Sequence, residues 1–133
     1  MRPDQLSDYC STVVSLRDKY RGRIDIHLGL ELEYYPGFLP ETLPVLKDAG
    51  IEYLLLGQHF LGNEIGEPYS GKATADKNLL KRYCNQSAAA MQTGLFTYFA
   101  HPDLFHFTGS DTVYRTHMRL ICREAKSLSL IHI

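Results

Sequence analysis

Between residues 6 and 128 the hydrophobic pattern switches repeatedly between a helical and a strand period. That switching constrains the fold more than any other feature of the chain. Leu6, Tyr9, Val13, Leu16 and Tyr20 form a helical stripe, and Gly22 follows as its stop. Residues 24–34 then alternate strictly: Ile24, Ile26, Leu28, Leu30 and Leu32 take one face, Asp25, His27, Gly29, Glu31 and Glu33 the other. Pro36-Gly37 ends this strand. A short helix is expected over 40–49, with Pro40 or Glu41 in its first turn and Gly50 as its stop. The apolar run 51–56 reads as a buried strand. Residues 62–74, rich in Gly, Pro, Ser and Asn, read as a loop long enough to mark a functional segment. A helix over 75–93 and a strand over 95–100 follow. The last helix is capped by Ser110 or Asp111 and carries the stripe Val113, His117, Leu120, Ile121, Ala125 and Leu128.

The predicted order α-β-α-β-α-β-α implies a parallel sheet covered by helices, either doubly wound or barrel-like. Three strands cannot close a barrel, which in its usual form takes about eight strands and roughly 250 residues. The pattern therefore allows a small open sheet or part of something larger. At 133 residues one hydrophobic core is the natural count.

Composition removes several functions. A net charge of −1 with scattered basic residues offers no electrostatic pull toward nucleic acid or membrane. No apolar run approaches the ~18–20 residues of a membrane span, and the opening residues hold no apolar signal segment. Cys10, Cys84 and Cys122 lie far apart, form no CxxC pair and read as small apolar residues in a reducing, cytoplasmic setting. Neither a Gly-rich phosphate loop nor a GxSxG elbow is present.

In parallel α/β proteins the active site forms at the C-terminal strand ends. Glu31 lies near the end of the first strand, His59 just after the second and His101 directly after the third. Parallel pairing sets neighbouring ends about 5 Å apart and next neighbours ~10 Å apart. A carboxylate and two imidazoles in one crevice make a competent ligand set for a divalent metal such as Zn, Mn or Fe. An inner parallel strand is buried on both faces, and a buried carboxylate needs a partner; Glu31 is thus expected to be a ligand, with Glu33 behind it or in an ion pair. Pro102 is expected to hold His101 extended and send its side chain off the strand end. His27 falls about 13 Å toward the wrong end and reads as structural, His106 as a surface residue, His117 as core and His132 as part of the tail. Tyr34, Tyr35 and Tyr69 fall near the presumed mouth.

Three stretches carry a family resemblance: Gly29-Leu30-Glu31-Leu32-Glu33-Tyr34, Leu56-Gly57-Gln58-His59-Phe60 and Phe99-Ala100-His101-Pro102-Asp103-Leu104. Together they resemble successive motifs of the PHP (polymerase and histidinol phosphatase) family, over about residues 5–127. The similarity is greatest to the histidinol-phosphatase branch, where the glutamate strand also runs into an aromatic-Pro-Gly turn. Gly57 departs from the Ser usual there, a change expected to leave the ligand untouched. The resemblance implies part of a distorted (β/α)7, TIM-like barrel with a divalent metal cluster at its C-terminal mouth. In it Glu31 would bridge two metals, His59 and His101 would each bind one, and Asp103 would support the ligands from behind. The family's His-x-His and Asp-x-His segments have no counterpart, so residues 1–133 are expected to form an incomplete PHP domain, inactive by itself.

The function so implied is hydrolysis of a small-molecule phosphate ester, L-histidinol phosphate in histidine biosynthesis, without nucleic-acid or membrane partners. A PHP-type phosphodiesterase or nuclease, or an inactive truncated module, are the alternatives.

Overall fold

The computed structural model describes residues 3–129, 131 and 132. Its elements are α1 (Pro3–Lys19), β1 (Gly29–Glu33), α2 (Leu39–Asp48), β2 (Tyr53–Gly57), α3 (Lys77–Gln92), β3 (Phe96–Phe99), α4 (Asp111–Ser127) and the two-residue β4 (Ile131–His132). All strand pairs are parallel and the order is β1-β2-β3-β4. The fold is α/β with a small parallel sheet, and β4 adds one strand to the three expected. Each connection steps the same way across the sheet. Right-handed crossovers repeated in one direction set α2, α3 and α4 on one face. A doubly wound sheet would reverse direction; this one does not, and its order is consistent with an arc of a barrel.

Register divides the strands into two faces. Leu30 pairs with Leu54 and Leu32 with Leu56, and this face packs in one cluster with Leu46 of α2, Leu80, Tyr83 and Met91 of α3, and Ile121 and Ala125 of α4. Leu56 and Phe99 are wholly buried, each contributing on the order of 1.5–3 kcal/mol through burial. Phe96 and Phe99 are both buried although three residues apart, which strict alternation forbids. A bulge between Leu54 and Leu55 in the β2–β3 ladder lets β3 take one extra residue, and both rings reach the core. The opposite face aligns Glu31, Leu55 and Tyr98.

Some sequence expectations require correction. The strand predicted over 24–34 pairs only from Gly29, because β2 begins opposite it at Tyr53. Ile24 is consequently exposed, while Leu28 is buried. In α4 the inward stripe is rotated: Ile121 and Ala125 are buried with Tyr114 and Met118 against them, whereas Leu120 and Leu128 are exposed. His117 is half-buried rather than core, its Nδ1 2.8 Å from the Val113 carbonyl. Of the three cysteines only Cys84 is buried, where burial pushes its thiol up to about 12; Cys122 is exposed.

Local signals explain the helix start that positions the second and third strands. Asp76 caps α3, its carboxylate accepting from the Asn78 amide at 2.8 Å. No helix among the described residues is long and apolar enough to cross a membrane.

Candidate metal centre

Glu31, His59 and His101 come from β1, from the residues after β2 and from those after β3, three neighbouring strand ends. Glu31 projects from the face turned away from the helices, and its side chain lies over β2. Gly57 makes that crossing possible. A Cβ there would stand 2.4 Å from Glu31 Oε1 and 2.9 Å from its Cγ. Gly57, a departure expected to leave His59 of its own motif untouched, is the floor beneath the Glu31 carboxylate.

From this position Glu31 Oε1 is 3.2 Å from His101 Nε2 and 3.6 Å from His59 Nε2. The two imidazole centroids are 4.8 Å apart, and the three donor atoms all lie within 4.8 Å of one another. Tetrahedral zinc bonded at 2.0–2.1 Å sets its donors about 3.3 Å apart. The carboxylate oxygen therefore already stands at ligand spacing from both imidazoles, and the donor set suits a divalent ion. Side-chain exposures of 41% for Glu31, 32% for His59 and 40% for His101 leave the site open to a substrate. The expectation that Glu31 is buried does not hold, because β1 is an edge of the described sheet; spacing, not burial, carries the case for a ligand.

Glu33 sits behind His59 and holds it at several points. Its carboxylate accepts from the His59 amide at 2.9 and 3.1 Å and from the Phe60 amide at 3.4 Å, and it contacts His59 Nδ1. A proton held on Nδ1 leaves Nε2 as a lone-pair donor facing Glu31 and His101. Burial raises the Glu33 carboxyl above its ordinary value, while hydrogen bonds from the His59 ring and backbone pull it down. Nearby, burial and then the charges of Glu33 and Glu64 raise the Tyr35 phenol.

The loops that carry the two histidines are sewn together. Ser70 N donates to the His59 carbonyl at 2.6 Å and His106 N to the Ser70 carbonyl at 3.0 Å. Thr74 N donates to the His106 carbonyl, and Thr108 N to the Thr74 carbonyl at 2.8 Å. His106 contributes backbone to this seam while its side chain is exposed. Gln86 on α3 ties the strand exits: its Nε2 donates to the Tyr34 carbonyl at 2.9 Å, and its Oε1 accepts from Gly62 N.

His101 departs from expectation in backbone. Its φ is +37°, left-handed rather than extended, despite the proline that follows. Asp103 is exposed, close enough to raise the Tyr83 and Tyr114 phenols, and among the described residues no hydrogen bond joins it to the three donors. His27 lies at the opposite end of the sheet, between Glu52 at 2.9 Å and Asp25 at 3.2 Å. Tyr69 packs on Phe60 with ring centroids 5.4 Å apart. His132 lies in β4, its side chain outside the described residues. The sequence points to neither Gln86 nor Tyr83, and it marks Gly57 only as a departure from the motif's usual Ser, not as a contact of Glu31. A glycine at a strand's C-terminal end beside a metal-ligand motif was the available signal for that contact.

No family model matches the chain. A probable histidinol-phosphatase from Deinococcus radiodurans is 28% identical over 126 residues, a stretch covering 88% of this chain and 48% of the relative. The chain thus spans about half the length of the curated relative it matches.

Proposed function

We propose that this chain carries part of the active site of a metal-dependent phosphomonoester hydrolase of the histidinol-phosphatase kind, with L-histidinol phosphate as substrate. The carrying observation is the spacing of Glu31 Oε1 from the two histidine Nε2 atoms, 3.2 and 3.6 Å, at the C-terminal ends of adjacent parallel strands. The likeness to a relative named a probable histidinol-phosphatase and the resemblance of the three motifs to PHP enzymes support the same reading.

Glu31, His59 and His101 would hold a divalent cation such as Zn²⁺, Mn²⁺ or Fe²⁺. When bound, such an ion lowers the pKa of coordinated water and neutralises phosphoryl oxygens. The chain's own residues supply the setting. Glu33 keeps the proton of His59 on Nδ1, the open face admits a phosphate ester, and the seam between the two loops fixes the separation of the imidazoles. In this reading residues 1–133 are an arc of a (β/α)7-type barrel, supported by the sequential strand order and the half-length match to the relative. The remaining ligands of a cluster would then lie outside the 133 residues.

Release of inorganic phosphate from L-histidinol phosphate by the full-length protein that contains these residues, with Mn²⁺ or Zn²⁺ supplied, tests the substrate, and Glu31→Gln should abolish it. Preference for bis(p-nitrophenyl) phosphate over the monoester would replace this reading with a phosphodiesterase. Failure of the wild-type chain to take up either metal would remove the site itself.

A further inference from the structure

We infer that Tyr83 is a positioning residue for His101: its hydroxyl grips the Pro102 carbonyl and holds the left-handed turn from which the imidazole reaches Glu31. The inference rests on the metal-site reading for its consequence but on separate contacts for its geometry.

His101 is one of two non-glycine residues with positive φ among the described residues, and it precedes a proline, a combination backbone sterics disfavour. Such a conformation persists only where the surroundings impose it. Within the loop, Leu104 N donates to the His101 carbonyl at 3.0 Å, closing the turn. Just before it, Ala100 N donates to the Leu56 carbonyl at 2.9 Å and anchors the chain to β2. From outside the loop, Tyr83 Oη on α3 donates to the Pro102 carbonyl at 2.9 Å. The proline ring fixes its own φ, so few free torsions separate that gripped carbonyl from the His101 side chain. Pro102 therefore works as a stiff lever between Tyr83 and the imidazole.

Packing explains why the grip is firm. Tyr83 is wholly buried, with ring centroids 5.2 Å from Phe105 and 6.5 Å from Phe99. One ring therefore braces both the strand that enters the turn and the segment that leaves it. Burial also raises the phenol's pKa, keeping the hydroxyl a donor. Phenylalanine would fill the same space, so what the hydroxyl adds is its hydrogen bonding.

The test compares wild type, Tyr83→Phe and Leu80→Val, the last loosening the same buried helix face while leaving the hydroxyl in place. NMR ¹³Cα and ¹³Cβ shifts with the ³J(HN,Hα) coupling of His101 report its backbone conformer, and chelator competition reports Zn²⁺ affinity. Tyr83→Phe is expected to move His101 toward extended values and weaken Zn²⁺ binding about ten-fold; Leu80→Val is expected to do neither. Unchanged His101 signals in Tyr83→Phe, or equal movement in Leu80→Val, overturn the inference. A wild type that binds no Zn²⁺ while Tyr83→Phe still moves His101 would refute the metal site and leave the positioning role standing. As a second measurement, Tyr83→Phe should shift the urea midpoint more in a His101→Gly background, where the unstrained turn stays and the whole hydrogen bond is lost, than with His101 present, where relaxation of the turn returns part of the cost. An equal shift in both backgrounds overturns the inference even if the single variant is too unstable for NMR.

Discussion

Replacing Gly57 with alanine should weaken metal binding without weakening the fold. The new Cβ would stand 2.4 Å from Glu31 Oε1, 2.9 Å from Cγ and 3.0 Å from Cδ. Non-bonded heavy atoms settle near 3.5 Å, so the carboxylate must withdraw by about 1 Å. Metal–oxygen bonds of ~2.0–2.2 Å do not survive a displacement of that size without reorganisation of the whole site. Losing one of three donors should lower Zn²⁺ affinity at least about ten-fold, or about 1.4 kcal/mol. The fold should tolerate the change. Gly57 is not among the glycines with positive φ, so alanine fits its backbone and restricts the unfolded chain, a gain of about 0.4–1 kcal/mol. Moving the free end of one side chain offsets part of that gain. Chelator competition for Zn²⁺, run beside a thermal melt, separates the two effects. Wild-type affinity in the Gly57→Ala protein would refute the placement of Glu31 over β2. A large fall in melting temperature would refute the claim that the contact is confined to the site.

Glu33→Gln removes the negative acceptor from His59 Nδ1 and should cost about 10–100-fold in Zn²⁺ affinity; unchanged affinity by isothermal titration would exclude this carboxylate as the orienting group. The His27 cluster should make stability pH-dependent. The hydrogen bond to Glu52, then the charge of Asp25, raises His27 above 6.5, so its contribution is complete below that value and fades as pH rises through the folded one. Hydrogen bonds from His27, then Arg17, lower Glu52, so its contribution holds above 4.5 and is lost as acid protonates it. Both groups are exposed, so the effect should be small and screened by salt. The melting difference between wild type and His27→Gln should be larger at pH 5.5 than at pH 8.5, and a difference independent of pH would contradict the linkage. Asp76→Ala removes the cap of α3 and should cost about 1 kcal/mol in urea unfolding with no change in slope; a slope change would mean that more than the cap is lost.

The positions of Glu31, His59 and His101 could be read from the sequence because two simple regularities fix them. Period two assigns a face, and parallel crossovers bring the C-terminal ends together. What escaped the reading depends on contacts between elements. Gly57 matters only because a side chain from another strand crosses it. The bulge in β3 exists because both Phe96 and Phe99 must reach one core, a demand made by α3 and α4 rather than by the strand's own pattern. The phase of α4 was missed for a similar reason: Tyr114 is polar at its tip and apolar in its body, and packing turned it inward instead of Leu120. At His101 the local rule for residues before proline was outweighed by the turn around it, closed from Leu104 and held from Tyr83.

These contacts make each strand serve two ends at once. On one face Leu30, Leu32, Leu54 and Leu56 meet the helices, and truncating the wholly buried Leu56 should cost the 2–5 kcal/mol typical of a lost core side chain. On the other, Glu31 is exposed enough that its loss leaves no cavity. The site's rigidity nevertheless draws on the core side through Tyr83 at Pro102, while Glu33 holds His59 from Glu31's own face. Substitutions among the exposed donors should therefore change metal binding with little change in stability, and truncations deep in the core should do the reverse. Tyr83, which packs in the core and bonds the turn that carries His101, is where the two quantities should fall together.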